Sequence, residues 1–542
     1  MVLSSHSWNL RPRSTFPPGM NEGSRTNYFI IPVLILLGSM AAASAQEVTI
    51  PDPGLNAAVR DALHKHTGPL TQQDMLSLTN LDASRRNVRS IAGLEAARNL
   101  VSLNLQINQL NSLSVPPQLT SLSILDAGIN PLTNFFLPVS LTNLTSLAME
   151  GAGLTSLALP AGLTKLNNLD LEENELTTIN LSNLTGLVSL DLGFNLFTNF
   201  SVPAGLTNLS TFYFAGNPLT SLTFSPGLRS ITELNLSQNL LTTLSLPAGM
   251  TNLEELDLAF NQLTNVTLPN DLRNLAELEL DFNQFTSLNL PSNLDGLRAL
   301  HLRANQFTNF NLPSGLTGLT YLDVSKNPLT NIVLPDTLNN LTALRISENN
   351  LRSLSLPRGM TNLTGLFLAS NQLTNVILPS DLSHLETLNL GGNQLTSLTL
   401  PPGLTNLTGL FVTGNQLASL TLPPDMTQLT ALGFLGNPLT ALILPEPLAE
   451  AGLEETVASL RGQGVSIFAY PLVIELTQPR TVPGAFQLEL TGPPGTYAVL
   501  GSSDLAAWTQ IGIATNRIGS IVFSDTTAHL SPRKFYRARI TP

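Results

Sequence analysis

Between about residues 87 and 447 the chain repeats one hydrophobic spacing. In Leu385–Asn406, LETLNLGGNQLTSLTLPPGLTN, leucines stand at 385, 388, 390 and 395 around Asn393. Through Thr387, Leu388, Asn389, Leu390 and Gly391 leucine alternates with other residues, the period-2 pattern of a strand with one buried face. The asparagine returns at 108, 130, 174, 195, 217, 239, 261, 283, 305, 327, 349, 371, 393, 415 and 437, and from 195 onward every step is 22. Ala152 holds the place between 130 and 174, and Asn87 stands at the head of the series. Identical units of this length stack in parallel and pool their leucines into one continuous core. Each asparagine is predicted in the turn after its strand, where its amide serves backbone groups of its own and adjacent coils. A buried group left unserved costs about 1–3 kcal/mol, so Ala152 is a predicted weak point.

Past the asparagine, most units carry Leu-x-Leu-Pro (Leu398, Leu400, Pro401) and a threonine (Thr264, Thr286, Thr308, Thr374, Thr396). This reads as a second short extended segment on the far side, ended by a proline that cannot donate to a ladder. Strands about 4.8 Å apart over the series give an arc roughly 75 Å long. The Asn-Leu-Thr and Asn-Leu-Ser tripeptides match glycosylation sequons, but the repeat itself accounts for them.

The pattern L-x-x-L-x-L-x-x-N-x-L, traced by Leu385, Leu388, Leu390, Asn393 and Leu395, resembles the leucine-rich repeat family over about Asn87–Leu448. The resemblance implies an α/β repeat: a solenoid with short parallel strands lining one concave face, on which partners bind. The front segment, IPDPGLNAAVRDALHK to LTQQDMLSLTNLDAS, is similar to the helical cap of secreted bacterial members, the internalin-like type. The far-side Leu-x-Leu-Pro departs from that type and no LPxTG motif is present, so a host-invasion role is not carried over.

At the front, Leu55, Ala58, Val59, Ala62 and Leu63 keep helical spacing after Pro53, and Thr71 with Asp74 forms a capping box for a second short helix. At the rear, Leu448–Leu460 reads as an amphipathic helix and Val465–Ala469 as a strand. Beyond Pro471, strands are expected at Leu472–Leu476, Phe486–Leu490, Tyr497–Leu500, Trp508–Ile513, Ile521–Phe523 and Phe535–Ile540. They suggest a small C-terminal antiparallel sandwich-like module with Trp508 and Tyr536 in its core. Tyr28–Ala45, uncharged behind Arg25 and ending Ala43-Ser44-Ala45, reads as an export signal cut before Gln46. An uncleaved anchor helix is the alternative, and Met20 is an alternative start. The expected organisation is signal 1–45, helical front cap 46–86, repeats 87–447, rear cap 448–470 and β module 471–542, with no stable membrane span after cleavage.

Composition narrows the function. The 542 residues include no cysteine, which excludes a disulfide framework, Cys-ligated zinc, an iron–sulfur cluster, a thiol nucleophile and the cysteine-dependent ubiquitin ligases of this repeat family. Export without cysteine fits a bacterial envelope or extracellular setting. A formal net charge of -12 argues against nucleic acid or an anionic membrane as the main partner. No Gly-rich phosphate loop, H-x-x-x-H spacing or Ser-His-Asp arrangement is found. No cofactor, metal or catalysis is expected.

A longer period points to the binding surface. Thr243–Leu272 returns almost unchanged as Ser353–Leu382, five units or 110 residues later. Framework residues persist: Gln262, Thr264 and Asn265 match Gln372, Thr374 and Asn375. Outward strand positions do not: Glu255 becomes Gly365, Asp257 Phe367, Glu277 Thr387, Glu279 Asn389, Asp281 Gly391, His301 Phe411 and Arg303 Thr413. Read across the strands, Asp170, Glu172, Glu173, Asp191, Glu233, Glu255, Asp257, Glu277, Glu279 and Asp281 form an acidic half. His301, Arg303, Lys326 and Arg345 form a basic belt, followed by Phe367 and Phe411, with Tyr213 and Tyr321 interleaved. Aromatic anchors beside ordered charges suit recognition. Asp257 and Glu279 on adjacent strands raise a glycosidase pair as an alternative, and Asp257, Glu279 and Asp281 a calcium site, both weighed below a solvated acidic face. The expected function is therefore binding of an extracellular or envelope protein through the strand face. A glycan ligand and a structural envelope role are the alternatives.

Overall fold

The computed structural model describes residues 46–530 and 533–541; the expected export signal lies outside them. From Asn80–Asp82 to Ala431–Gly433, one three-residue strand per repeat joins a 17-stranded sheet. Each strand pairs in parallel with the next at the same repeat position, as Leu256 with Leu278 and Leu278 with Leu300. The central residue of each strand, leucine everywhere but at Phe212, points inward. Leu385, Leu388, Leu390 and Leu395 are fully buried, each contributing about 1.5–3 kcal/mol of transfer free energy.

The strands are short because each chain turns sharply before the recurring asparagine. The residue preceding it is left-handed in repeat after repeat, with φ of 54° at Phe282, 55° at Phe260 and 52° at Ile129. Its N–H donates to the next coil's turn, as Phe260 N to Asp281 O at 2.9 Å and Phe282 N to Arg303 O at 2.8 Å. Glycine takes this place at Gly392, Gly414 and Gly436, where the conformation costs nothing. The asparagine then closes the turn. Asn283 Oδ1 accepts from Leu263 N at 2.9 Å, and its Nδ2 donates to Leu258 O, Leu280 O and Asp281 O at 2.9, 3.2 and 3.2 Å. One amide thereby joins its own coil to the coil before it.

At Ala152 the ladder is interrupted but healed. Leu132 N, which an asparagine oxygen would serve, donates to Ala152 O at 3.0 Å and Asn130 O at 2.8 Å. Gly151 and Gly153 flank it, both left-handed.

The far-side segments are extended as expected, but they pair two at a time. Asn199–Val202 pairs with Ser221–Phe224, Thr243–Ser245 with Asn265–Thr267, Asn309–Asn311 with Asn331–Val333, and Ser353–Ser355 with Asn375–Ile377. The coils near 287 and 397 form no far-side strand. Two pairs and one unpaired coil make five, the longer period of the sequence.

At the front, the helix Pro53–Ala62 is capped by Asp52, whose Oδ1 accepts from Leu55 N at 2.9 Å and whose Oδ2 accepts from Arg89 N at 2.8 Å, tying the cap to the first coil. The capping box of Thr71 and Asp74 opens the helix Gln72–Ser77. At the rear, the expected single helix is two pieces, the π-helical Leu448–Gly452 and the α-helix Glu454–Gly462. Gly452 passes so near the last coil that a β-carbon there would sit 2.8 Å from Leu429 O, so the join between the two pieces takes a glycine. Ser466–Tyr470 then pairs in parallel with Ala441–Pro445.

The last segment forms six antiparallel strands in two three-stranded sheets. The first is Glu475–Val482, later than expected, because the chain bends at Leu472 and Val473 and leaves them exposed. The core is Leu490, Tyr497, Val499, Ala514 and Phe523. Trp508 and Tyr536, expected inside, are only half-buried. Trp508 lies 4.3 Å from the Arg537 guanidinium, and the Tyr536 hydroxyl donates to Asp525 at 2.9 Å. Among the described residues no helix is long and apolar enough to cross a membrane.

Candidate binding face

Two files of side chains flank the buried leucines on the outer face of the sheet. One lies six residues before the asparagine and carries Glu233, Glu255, Glu277 and Tyr321, with register partners Glu233–Glu255, Glu255–Glu277, Glu277–Ala299 and Ala299–Tyr321. The other lies four before it. It runs Asp170, Asp191, Tyr213, Asn235, Asp257, Glu279, His301, Asp323, Arg345, Phe367, Asn389 and Phe411, each paired with the next. Glu172, Asp281 and Arg303 sit two residues further on, in the turns. Glu173 and Lys326 occupy left-handed or turn-edge positions rather than the strand face, and Lys326 pairs with Glu348 at 3.7 Å.

Much of the acidic column has local work. Asp170 Oδ1 accepts from Glu172 N at 3.1 Å, Asp191 from Gly193 N at 2.8 Å, Asp257 from Ala259 N at 2.9 Å and Asp323 from Ser325 N at 2.8 Å. Asn235 and Asn389 do the same. A short carboxylate or amide in this place forms an Asx turn that holds the strand's exit. Asp281 instead accepts from Arg303 N in the next coil at 2.7 Å. One oxygen each of Asp257 and Asp281 is thus engaged by backbone. The chemistry of a glycosidase pair or a calcium cage rests on carboxylates whose geometry the turns already set.

The departures from this rule are Tyr213, Glu279, His301, Arg345, Phe367 and Phe411, and they gather after residue 279. The Tyr213 hydroxyl donates to Glu233. The His301 ring stacks on Tyr321 with centroids 4.7 Å apart. The Arg345 guanidinium lies 4.2 Å from the Phe367 ring centre and 6.0 Å from that of Tyr321. His301, Tyr321, Arg345 and Phe367 therefore form one continuous stack across four strands. These aromatics are half-buried rather than fully exposed; only Phe411 stands out, at 36% exposure.

Burial raises the carboxyls of the column. Asp191 is pushed up to about 7, mainly by burial and against the hydrogen bond from Gly193. Glu279 rises to about 8 through burial and then through the charges of Asp281 and Asp257. Asp281 rises to about 6 by burial, opposed by the Arg303 amide. Burial lowers His301, with Glu277 and Asp323 pulling the other way. A crowded run of like charges at half-buried positions is relieved by protonation or by a cationic partner.

The carboxylates Asp126 and Asp323 of the file escaped the sequence reading, the latter 5% exposed. Their place four residues before an asparagine was the available signal. Beside the strands' entry edge, Arg298, Thr320, Thr342, Thr364 and His384 line an open groove. Its threonine hydroxyls donate to the preceding coil's backbone, as Thr342 to Thr320 O at 2.9 Å, so that groove is part of the coil-to-coil joint.

The BspA type leucine-rich repeat region matches residues 106–189 and 193–300, and a two-copy leucine-rich repeat model matches 361–402. Among solved structures, YopM from Yersinia enterocolitica WA-314 is 27% identical, with a TM-score of 0.52 over 72% of this chain and 73% of that one. The functional domain of InlJ from Listeria monocytogenes is 22% identical, with a TM-score of 0.56 over 82% of this chain and 94% of that one, and shares the fold. That domain includes a cysteine ladder; this chain has no cysteine. No curated protein sequence matches. A 22-residue repeat, one parallel strand per coil in constant register, an asparagine ladder and two matching repeat models agree that the chain folds as a leucine-rich repeat solenoid, similar to the BspA type over residues 106–300.

Proposed function

We propose that this is an exported bacterial binding protein that recognises an extracellular or envelope protein through its strand face, centred on Glu279 to Phe411. One observation carries the reading. Side chains of the outer column serve their own turns along most of the sheet, and the exceptions cluster where His301, Tyr321, Arg345 and Phe367 stack. Residues released from turn duty and replaced in the sister block, while the framework is kept, are the ones that selection for a ligand would alter. The stack offers rigid apolar anchors, which supply most of the energy at protein interfaces. The acidic column upstream sets orientation and draws in a basic surface.

The test is capture from envelope extracts by the native protein and by an Arg345→Ser, Phe367→Ser double variant of unchanged circular dichroism. The expected result is one stoichiometric protein held by the native chain, released by rising salt and lost by the variant. Equal capture by both overturns the assignment to this face. Retention of a polysaccharide in its place would favour a glycan ligand.

A further inference from the structure

We infer that Glu277, Glu279 and His301 form a binding site for a divalent transition-metal cation, of the zinc, cobalt or nickel kind. The inference is independent of which protein the face recognises.

The three side chains come from two adjacent strands, with Glu279 and His301 direct register partners. His301 Nε2 lies 3.4 Å from Glu279 Oε1 and 3.7 Å from Glu277 Oε1, and the three donor atoms all lie within 4.8 Å of one another. The two imidazole–carboxylate separations exceed hydrogen bonds and lie close to the edge of a coordination tetrahedron. With metal–ligand bonds of about 2.0–2.2 Å, that edge is about 3.3–3.6 Å. Among the described residues none of the three side chains makes a hydrogen bond, so no existing partner must be displaced. An imidazole with carboxylates selects a borderline transition cation over calcium, which prefers all-oxygen ligands. Three protein ligands leave a coordination position open.

Three further observations set this apart from an ordinary acidic patch. Glu279 stands where Asp257 and Asp323 bond their own turns, and its longer side chain is instead free to reach His301. The imidazole is held by its stack on Tyr321, so the ring is oriented before any ion arrives. Finally, the sister block gives up all three donors together, with Thr387, Asn389 and Phe411 in their places.

The experiment is titration of the purified full chain, cleared of metal by a chelator, with Co2+ read by visible absorption and with Zn2+ as competitor. The expected result is one Co2+ per chain with ligand-field bands, displaced by Zn2+. Affinity should fall at least ten-fold in His301→Phe and in Glu279→Gln. His301→Phe installs the residue the fold already carries at Phe411, and unchanged circular dichroism would establish that it folds. His384→Ala serves as control and should bind like the native chain. Absence of Co2+ bands in the native protein, equal binding by His301→Phe, or loss in His384→Ala alone would overturn the assignment. Calcium binding without cobalt binding would overturn it too.

Discussion

Asn283→Ala tests whether the asparagine ladder carries the fold. The substitution removes the acceptor for Leu263 N and the donor for Leu258 O, Leu280 O and Asp281 O. Asn283 is 6% exposed, so water cannot simply replace the amide. A hydrogen bond is worth about 0.5–1.5 kcal/mol net, and an orphaned buried group costs about 1–3 kcal/mol. Counting the two 2.9 Å bonds in full, the two 3.2 Å bonds as negligible, and one stranded N–H gives a loss of about 2–6 kcal/mol. The healing seen at Ala152 is not open to this coil. There, left-handed glycines on both sides let the backbone carbonyl reach Leu132 N, whereas Phe282 and Gln284 flank Asn283. The assay is urea denaturation joined to amide exchange at Leu263, whose protection should fall by the same free energy. A change below about 0.5 kcal/mol with Leu263 still protected would refute the reasoning. It would mean that strand pairing alone fixes the turns.

Other outcomes are open to measurement. Ile129→Asn relieves a β-branched residue at φ 52° that is already 44% exposed, and should stabilise by about 1 kcal/mol in thermal denaturation. Asp191 has a folded pKa raised to about 7 by burial, among Glu172, Asp170 and Glu150. Its contribution to stability is therefore full below about pH 4 and lost as pH rises through 7; Asp191→Asn should flatten the melting temperature over that window. Burial alone would raise Asp525, but Lys534, Thr527 and Tyr536 overcome it and hold the carboxyl at about 2. Its contribution is present above about pH 4 and lost as pH falls towards 2, which Asp525→Asn should abolish, as read by Trp508 emission. Tyr470→Phe loses the buried bond to Leu422 O at 2.6 Å and should cost about 1–2 kcal/mol, seen as earlier release of the rear strand by proteolysis.

The scaffold was legible because its rule is written in every repeat. Leucine spacing gave the parallel strands, the asparagine column gave the turn amide, and Thr71 with Asp74 gave the capping box. The left-handed residue before each asparagine was not legible, since Ile129, Phe194 and Phe260 are among the last residues one would place there. Tertiary hydrogen bonding overrides their preference. The candidate face was half legible. Its positions could be read, but not that Asp170, Asp191 and Asp257 spend an oxygen on their own turns, because that depends on which backbone N–H lies within reach. His301 read as one member of a basic belt. Its approach to Glu277 and Glu279 depends on side-chain direction, about which spacing says nothing. In the rear cap, helical periodicity could not reveal that Gly452 abuts a carbonyl.

The two-two-one grouping of the far side has a consequence for the gene as well as the protein. Thr243–Leu272 and Ser353–Leu382 are near-duplicates in chain and in coil position. Unequal recombination between them would delete or add a whole block and leave every remaining far-side pair intact. Each such event would change the reach of the molecule by about 24 Å, five strands at about 4.8 Å, while both caps stayed as they are. The length of the solenoid can thus change in whole-block steps, separately from whatever the exposed columns recognise.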